Sequence, residues 1–230
     1  MQLHDASVLV AGASGGLGAP ICRQLAGAGA RLTLLARTEV RLGAMAAELG
    51  TDAVVFAGDI RSSEDCGAAV AAAVDAHGRL DAVVAATGVV AFGSVVDLDD
   101  AVLDELITTN LVGPLRLARA AIPHLPDGGC IVNISAVVAE NPVAGMGAYS
   151  ASKAALTSLD VSLGRELRRQ RITVLDVRPP HTETGLADRP IAGEAPKLPQ
   201  GLDPAAVAAR IVEAMAAGER DLPSSAFSAD

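Results

Sequence analysis

Short unbroken apolar runs alternate along this chain with longer stretches in which apolar residues return every third or fourth position. The short runs are Ser7–Ala11, Arg31–Leu35, Ala53–Phe56, Ala82–Ala86, Cys130–Ser135 and Ile172–Val177. Their length and near-continuous apolar character predict strands buried on both faces. Helical spacing fills the intervals: from a glycine turn to about Ala28, then Glu39–Leu49, Asp65–His77, Asp100–Leu125, Ala148–Arg169 and Ala205–Ala217. Gly113-Pro114 is expected to break the fourth of these helices, and Asp203-Pro204 carries the cap signature of the last. A β-α-β alternation of this regularity predicts the α/β class, a doubly wound parallel sheet of about seven strands with helices on both faces.

No linker or short-period repeat interrupts the pattern, so residues 1–230 are expected to form a single domain. The Pro/Gly-rich stretch 185–201 reads as a surface excursion between the sixth strand and the last helix, and 224–230 as a loose C-terminal tail.

Half of the residues are apolar but only 2% are aromatic, so the core must be built from Ala, Val, Leu and Ile. A net charge of −9 argues against nucleic acid or an anionic membrane as partner. One tyrosine, three phenylalanines and no tryptophan offer few stacking platforms for bases. Cys22, Cys66 and Cys130 are too few and scattered for a disulfide framework, and the four histidines are equally dispersed. No metal site is expected. The N-terminus lacks the basic region of a signal peptide, and no stretch reaches membrane-spanning length free of charge or glycine. A cytoplasmic location is expected, and the arginine- and alanine-rich composition suggests a bacterial source.

Chemistry enters at two places. The first strand runs into Gly12-Ala13-Ser14-Gly15-Gly16-Leu17-Gly18, which opens a helix. Glycines there permit a sharp turn and close approach of a ligand, and a helix N-terminus presents free N–H groups to a pyrophosphate. Sheets that bind NAD place an acid about twenty residues on, against the ribose 2′-hydroxyl. Here the second strand ends Leu35-Ala36-Arg37-Thr38, with no acid before Glu39. Arg37 is instead a candidate partner for a 2′-phosphate, so NADP(H) is the preferred cofactor, with NAD(H) possible. Asp59-Ile60, after the third strand, are placed to meet the adenine edge.

The second place is Tyr149-Ser150-Ala151-Ser152-Lys153, which holds the only tyrosine and one of two lysines. Four residues apart on a helix, a phenol and an ammonium share one face. The cation favours the ionised phenol, and such a pair can move a proton to or from a substrate oxygen.

The glycine turn, Asp59, Asn110 and Tyr149-x-x-x-Lys153 stand in one order, and in this the chain resembles the short-chain dehydrogenase/reductase family over residues 5–222. The resemblance implies a Rossmann fold and a carbonyl–alcohol oxidoreductase. It implies Tyr149 as general acid/base, Lys153 lowering its pKa and holding the nicotinamide ribose, and Asn110 supporting a proton relay. Gly12, Ser14, Gly16, Leu17 and Gly18, with Ala86 and Gly88 after the fourth strand, fall at the family's cofactor positions. Pro179, Thr182 and Thr184 match its segment beside the carboxamide, although Pro180 replaces a glycine.

Two departures stand out. The asparagine that usually braces the end of the fourth strand is Ala85, and the family's catalytic serine, thirteen residues before the tyrosine, is Ala136. The serine hydroxyl stabilises charge building on the substrate oxygen, and losing such a donor costs ~10²–10³ in rate. Three readings are open. A bulge turns the preceding Ser135 into the site; His181 or Thr87 substitutes; or the protein binds NADP(H) and turns over poorly.

By the same resemblance the substrate pocket is lined by Val89, Val137, Val143, Met146 and His181, with 185–201 as lid. That lining suits a small, largely apolar carbonyl or alcohol. Family members assemble through two long helices, here Leu103–Leu125 and Ala148–Leu167, whose alanines Ala118, Ala121, Ala151 and Ala155 permit close packing. A homodimer or homotetramer is expected. The function expected is an NADP(H)-dependent oxidoreductase; the alternative is an NADP(H)-binding scaffold or sensor that has lost catalysis.

Overall fold

Successive residues of a buried strand face opposite layers, and here the two layers are filled by different helices. In the computed structural model, which describes residues 1–50 and 52–227, Val10 faces one core and its neighbours Leu9 and Ala11 the other. Seven parallel strands form one sheet: β1 (Ser7–Ala11), β2 (Arg31–Ala36), β3 (Val54–Ala57), β4 (Ala82–Ala85), β5 (Cys130–Ile134), β6 (Thr173–Val177) and β7 (Asp221–Leu222). Their order is β3-β2-β1-β4-β5-β6-β7. Helices α1 (Gly18–Gly27), α2 (Glu39–Leu49) and α7 (Pro204–Ala217) cover one face with Ile21, Leu25, Leu42 and Ile211. Helices α3 (Ser63–His77), α5 (Gly113–Ala121) and α6 (Gly147–Glu166) cover the other with Val70, Leu117 and Leu163. This is the expected single Rossmann-type sheet.

Its register brings the site together. Ala11 pairs with Ala85, Ala85 with Asn133, and Asn133 with Asp176, so β1, β4, β5 and β6 end at one level. The chain order reverses at β1 and β4, the crevice where ligands bind in open α/β sheets.

Two expectations need correction, and the expected helix break moves by a few residues. The helical region Asp100–Leu125 is broken just before Gly113: α4 (Asp100–Ile107) leads through a π-helical turn, Thr108–Val112, into α5. Residues 224–227 are not loose, since Ser224–Phe227 form a short 3-10 helix with Phe227 packed into the first core; residues 228–230 lie outside the described residues. Pairing of β7 with Asp176 and Val177 carries this segment onto the sheet. Ala118 and Ala121 face the sheet rather than a partner, buried with Leu117 in the second core. Ala151 is exposed and Ala155 half-buried, and the larger apolar residues left on the outer helix faces are Leu103, Leu115 and Val161.

The stretch 185–201 is tied down at its middle and closed at its base. Ala192 pairs with Ala91, through hydrogen bonds from Ile191 to Val90 (2.9 Å) and from Phe92 to Ala192 (2.9 Å). At the base Leu202 pairs with Thr182.

Candidate active site

The glycine turn between β1 and α1 is shaped by backbone crowding. Gly12 has φ +79°, and a Cβ there would stand 2.7 Å from the carbonyl oxygen of Ala86. Gly18 lies so close to the Gly12 carbonyl that no side chain fits. Gly15 and Gly16 remain exposed, and Gly16 lies against Thr184 from the segment after β6. No side chain caps α1 at Leu17, and its first turn carries no acid, so its N–H groups stay available to an anion. Ser14 and Ala86 are half-buried along the same crevice. These features fit a dinucleotide: a bare, tightly turned loop and an uncapped helix end.

Arg37 is exposed at the end of β2. Asp59 is less free than its position suggests. Its carboxylate accepts from the backbone N–H of Arg61 (2.9 Å) and from the Arg61 guanidinium (2.7 Å), a hydrogen-bonded pairing that holds it below the usual carboxylate range. Ile60 behind it is buried.

Across the crevice, α6 starts at Gly147, so Tyr149 and Lys153 lie one turn apart on the helix side facing the strand ends. Asn110 sits in the π turn, fully buried. Its amide oxygen accepts from the Val89 N–H, and its amide nitrogen donates to the Val89 carbonyl and to the Ser152 hydroxyl, all within 3.0 Å. Ser152 donates in turn to the Tyr149 carbonyl (2.7 Å), fastening the π turn to α6. Gly88 is the meeting point: a Cβ there would lie 3.4 Å from Lys153 Nζ and 3.5 Å from Asn110 Oδ1. Tyr149, Lys153 and Asn110 are therefore brought together. Ser152 was missed from sequence, although its place between tyrosine and lysine was the available signal.

Burial dominates the electrostatics. The Tyr149 phenol is pushed up to about 12 by desolvation, opposite in direction to the activation expected from its neighbouring cation. Lys153 is pulled down to about 8 by its own burial, against an opposing pull from Asp176 and Asp160. Its ammonium donates to the Ile134 carbonyl at 2.8 Å.

Of the three candidates for the missing serine, Ser135 and His181 are engaged elsewhere. Ser135 continues the strand register, its N–H on the Val177 carbonyl (2.7 Å), with no bulge. Its hydroxyl donates to the Lys153 carbonyl (2.9 Å) and lies 3.1 Å from that of Thr157, on the α6 side. Ala136 takes the opposite direction and packs with Tyr149 in a third apolar cluster. Thr87 buries its hydroxyl without a partner, its methyl 3.0 Å from the Cβ position of Gly12. The His181 ring is turned towards Gly201 and lies 3.6 Å from Glu183.

That third cluster comprises Val90, Ala91, Leu106, Val138 and Tyr149, with Val89, Val137, Met146, Phe92 and Ile191 packed on it. Val89, Val137 and Met146 pack together on this cluster. Val143 is not part of it and is 51% exposed in the loop before α6. His181 belongs to the base of the 185–201 stretch. Pro179 accepts from the Val137 N–H (3.0 Å), and Thr182 donates to the Pro180 carbonyl (2.9 Å), so this segment is braced against that cluster.

The three cysteines are buried and their thiols pushed up to about 11–12 by desolvation, which leaves them unreactive at neutral pH. Among the described residues no group of three His, Cys, Asp or Glu is placed to hold a metal ion, and no helix is long and apolar enough to cross a membrane.

A family model described as short chain dehydrogenase matches residues 6–194. Ipsdienol dehydrogenase of Ips pini is 32% identical over 207 residues, covering 83% of this chain and 80% of that protein. A short-chain dehydrogenase from Burkholderia cenocepacia, solved in complex with NADP, is 29% identical and superposes with a TM-score of 0.87, over 99% of this chain and 100% of that one. A 3-ketoacyl-(acyl-carrier-protein) reductase from Brucella melitensis, complexed with NADH, shares the fold at 24% identity, with a TM-score of 0.87 and 96% of each chain covered. The glycine turn, the converging tyrosine, lysine and asparagine, and the matched span place this chain in the short-chain dehydrogenase family of oxidoreductases.

Proposed function

We propose that this chain is an NADP(H)-dependent oxidoreductase that interconverts a small, largely apolar carbonyl compound and its alcohol. The observation that carries the reading is the meeting of Lys153 and Asn110 at Gly88, with Tyr149 fastened to Asn110 through Ser152, beside a glycine turn built for a dinucleotide. The dinucleotide, when bound, supplies the hydride. Gly12, Ser14, Gly16, Leu17 and Gly18 would hold its phosphates, Arg37 its 2′-phosphate, and Pro179, Thr182 and Thr184 the opposite end. The absence of an acid at the end of β2 and the exposure of Arg37 support NADP(H), as does the NADP held by the Burkholderia relative.

Tyr149 is the proton donor in reduction and the acceptor in oxidation. Burial makes the free phenol a reluctant acid, so the Lys153 ammonium has to offset that burial as the proton leaves. Asn110, locked by both groups of Val89, keeps the π turn open beside Lys153. The apolar cluster around Tyr149 contributes no charged side chain, which suits an apolar substrate. Leu103, Leu115 and Val161 on the outer faces of α4–α6 support a homo-oligomer, which sedimentation would test.

A second reading is favoured by the same site. With Ala136 packed on the cluster that holds Tyr149, and Ser135 bonded to the backbone of α6, the hydroxyl expected to assist the tyrosine is missing, which suits a cofactor-binding scaffold or sensor with weak turnover. Fluorescence titration with NADPH, followed by a panel of aldehydes and ketones, separates the two. Turnover abolished by Tyr149→Phe supports the enzyme. Tight NADPH binding with no turnover on the panel supports the scaffold.

A further inference from the structure

Beneath α6, on the side that faces β5 and β6, lies a charged cluster that the proposed chemistry does not use. Arg178, at the end of β6, is 9% exposed and pairs with three carboxylates: Asp176, Glu140 (2.5 Å) and Asp221 (2.5 Å). Three carboxylates face one guanidinium; burial raises the Asp176 carboxyl, and the charge and hydrogen bond of Arg178 and the hydroxyl of Thr157 oppose that. Asp176 is the innermost member of the cluster, 3% exposed. It is linked to the lysine turn of α6 through hydroxyls: Asp176 accepts from Thr157 (3.3 Å), the Thr157 oxygen lies 3.1 Å from that of Ser135, and Ser135 donates to the Lys153 carbonyl (2.9 Å). Lys153 itself is 3% exposed. Its ammonium has one neutral acceptor, the Ile134 carbonyl, on the strand beside β6.

A buried ammonium with only a carbonyl for company is driven towards its neutral form unless negative charge lies near. From β6 that charge is Asp176, balanced in part by Arg178. From α6 itself come Asp160 and the Tyr149 phenol. Asp160 is pushed up to about 8 by burial, so at neutral pH it is largely the neutral acid. β5 and the π turn bring only uncharged groups, the amides of Asn133 and Asn110 and the Ser135 hydroxyl. We propose that Asp176, fixed by Arg178 and Thr157, is a positioning residue for the catalytic pair: its charge keeps the Lys153 ammonium protonated beneath Tyr149. This deepens the oxidoreductase reading and rests on it for its consequence, since a neutral lysine cannot offset the burial of the tyrosine. The opposing pulls of burial and of Asp176 on Lys153 agree with the role.

The chain makes the test direct, because Lys153 and Lys197 are its only lysines. Protein labelled with 13C-lysine gives two side-chain signals, assigned with Lys197→Arg, and each is titrated by NMR without turnover. In Asp176→Asn, which keeps the shape and the Thr157 contact, the Lys153 midpoint is expected to fall by about one pH unit, a roughly tenfold loss of charged lysine above the midpoint. In carbonyl reduction the alkaline limb of kcat/KM moves down with it. An unmoved midpoint in folded Asp176→Asn overturns the proposal. Should that variant not fold, the wild type decides: the Asp176 carboxyl carbon shifts as Lys153 loses its proton, and a carbon silent at that midpoint also overturns it. Failure of the oxidoreductase reading would appear separately, as wild-type protein that turns over no carbonyl while the lysine shift stands.

Discussion

The hydroxyl of Ser135 donates to the carbonyl oxygen of Lys153 at 2.9 Å, so it braces the lysine's helix from beneath and is turned from the tyrosine it was expected to assist. Ala136, one residue on, packs beside Tyr149 instead. The two substitutions should therefore act in opposite ways. Ser135→Ala should lower stability by about 1 kcal/mol, through a lost buried hydrogen bond, and leave kcat within a few-fold of wild type. Ala136→Ser should raise kcat by up to ~10², because it adds a donor where charge develops on the substrate oxygen. Steady-state rates and urea melts of both variants check this. A large kcat loss in Ser135→Ala, with stability unchanged, would return Ser135 to the reacting atoms.

Tyr149→Phe removes the phenol and keeps the ring that fills the apolar cluster. Expected is a kcat lower by ~10²–10⁴, the range for a lost general acid, with melting temperature and NADPH dissociation constant little changed. Stopped-flow measurement of cofactor oxidation at saturating NADPH reads the first and fluorescence titration the second.

The outline of the fold was legible because its signals are periodic: buried strands read as apolar runs and the helices between them return every 3.6 residues. The glycine turn and the Tyr149/Lys153 pair were legible because each requires rare residues at fixed spacing. The π turn around Asn110 was not, since one widened turn does not disturb the apolar pattern of Asp100–Leu125. The direction of Ser135 was uncertain because a one-residue slip reverses every side chain. Only the uninterrupted pairing of β5 with β6, from Cys130 to Ile134, settles it. The Arg178 cluster was missed because charged residues near a strand end usually read as solvated. Its signal was available: Asp176 and Arg178 are two apart and share one face of β6, and that face is covered by α6.

Arg37 stands exposed at the end of β2, with no acid beside it before Glu39. Charge-assisted bonds to a phosphate are worth about 1.5–3 kcal/mol. Arg37→Ala should accordingly weaken NADPH binding by ~10-fold or more and leave NADH binding unchanged. Parallel titrations with the two reduced cofactors check the difference. Tighter binding of NADH than NADPH by the wild type would remove Arg37 from this role.

Asp160 offers a pH test of stability that needs no substrate. It is 4% exposed, one carboxyl oxygen takes the Asn133 amide and the other has no partner, and burial pushes the group up to about 8. In the unfolded chain it titrates near ~4. Below that pH both states hold the proton and the group adds no pH dependence. Between about 4 and about 8 the folded state keeps a proton that the unfolded state has lost, so the contribution to stability declines as pH rises and is gone above the folded value. Asp160→Asn, which cannot ionise, removes this slope. The variant should match the wild type or fall slightly below it at pH 4.5, yet exceed it by about 1–3 kcal/mol at pH 8. Urea melts at the two pH values check the crossing. Parallel stability curves would mean that Asp160 stays ionised in the folded protein and that the charge beneath α6 is shared between two carboxylates rather than carried by Asp176.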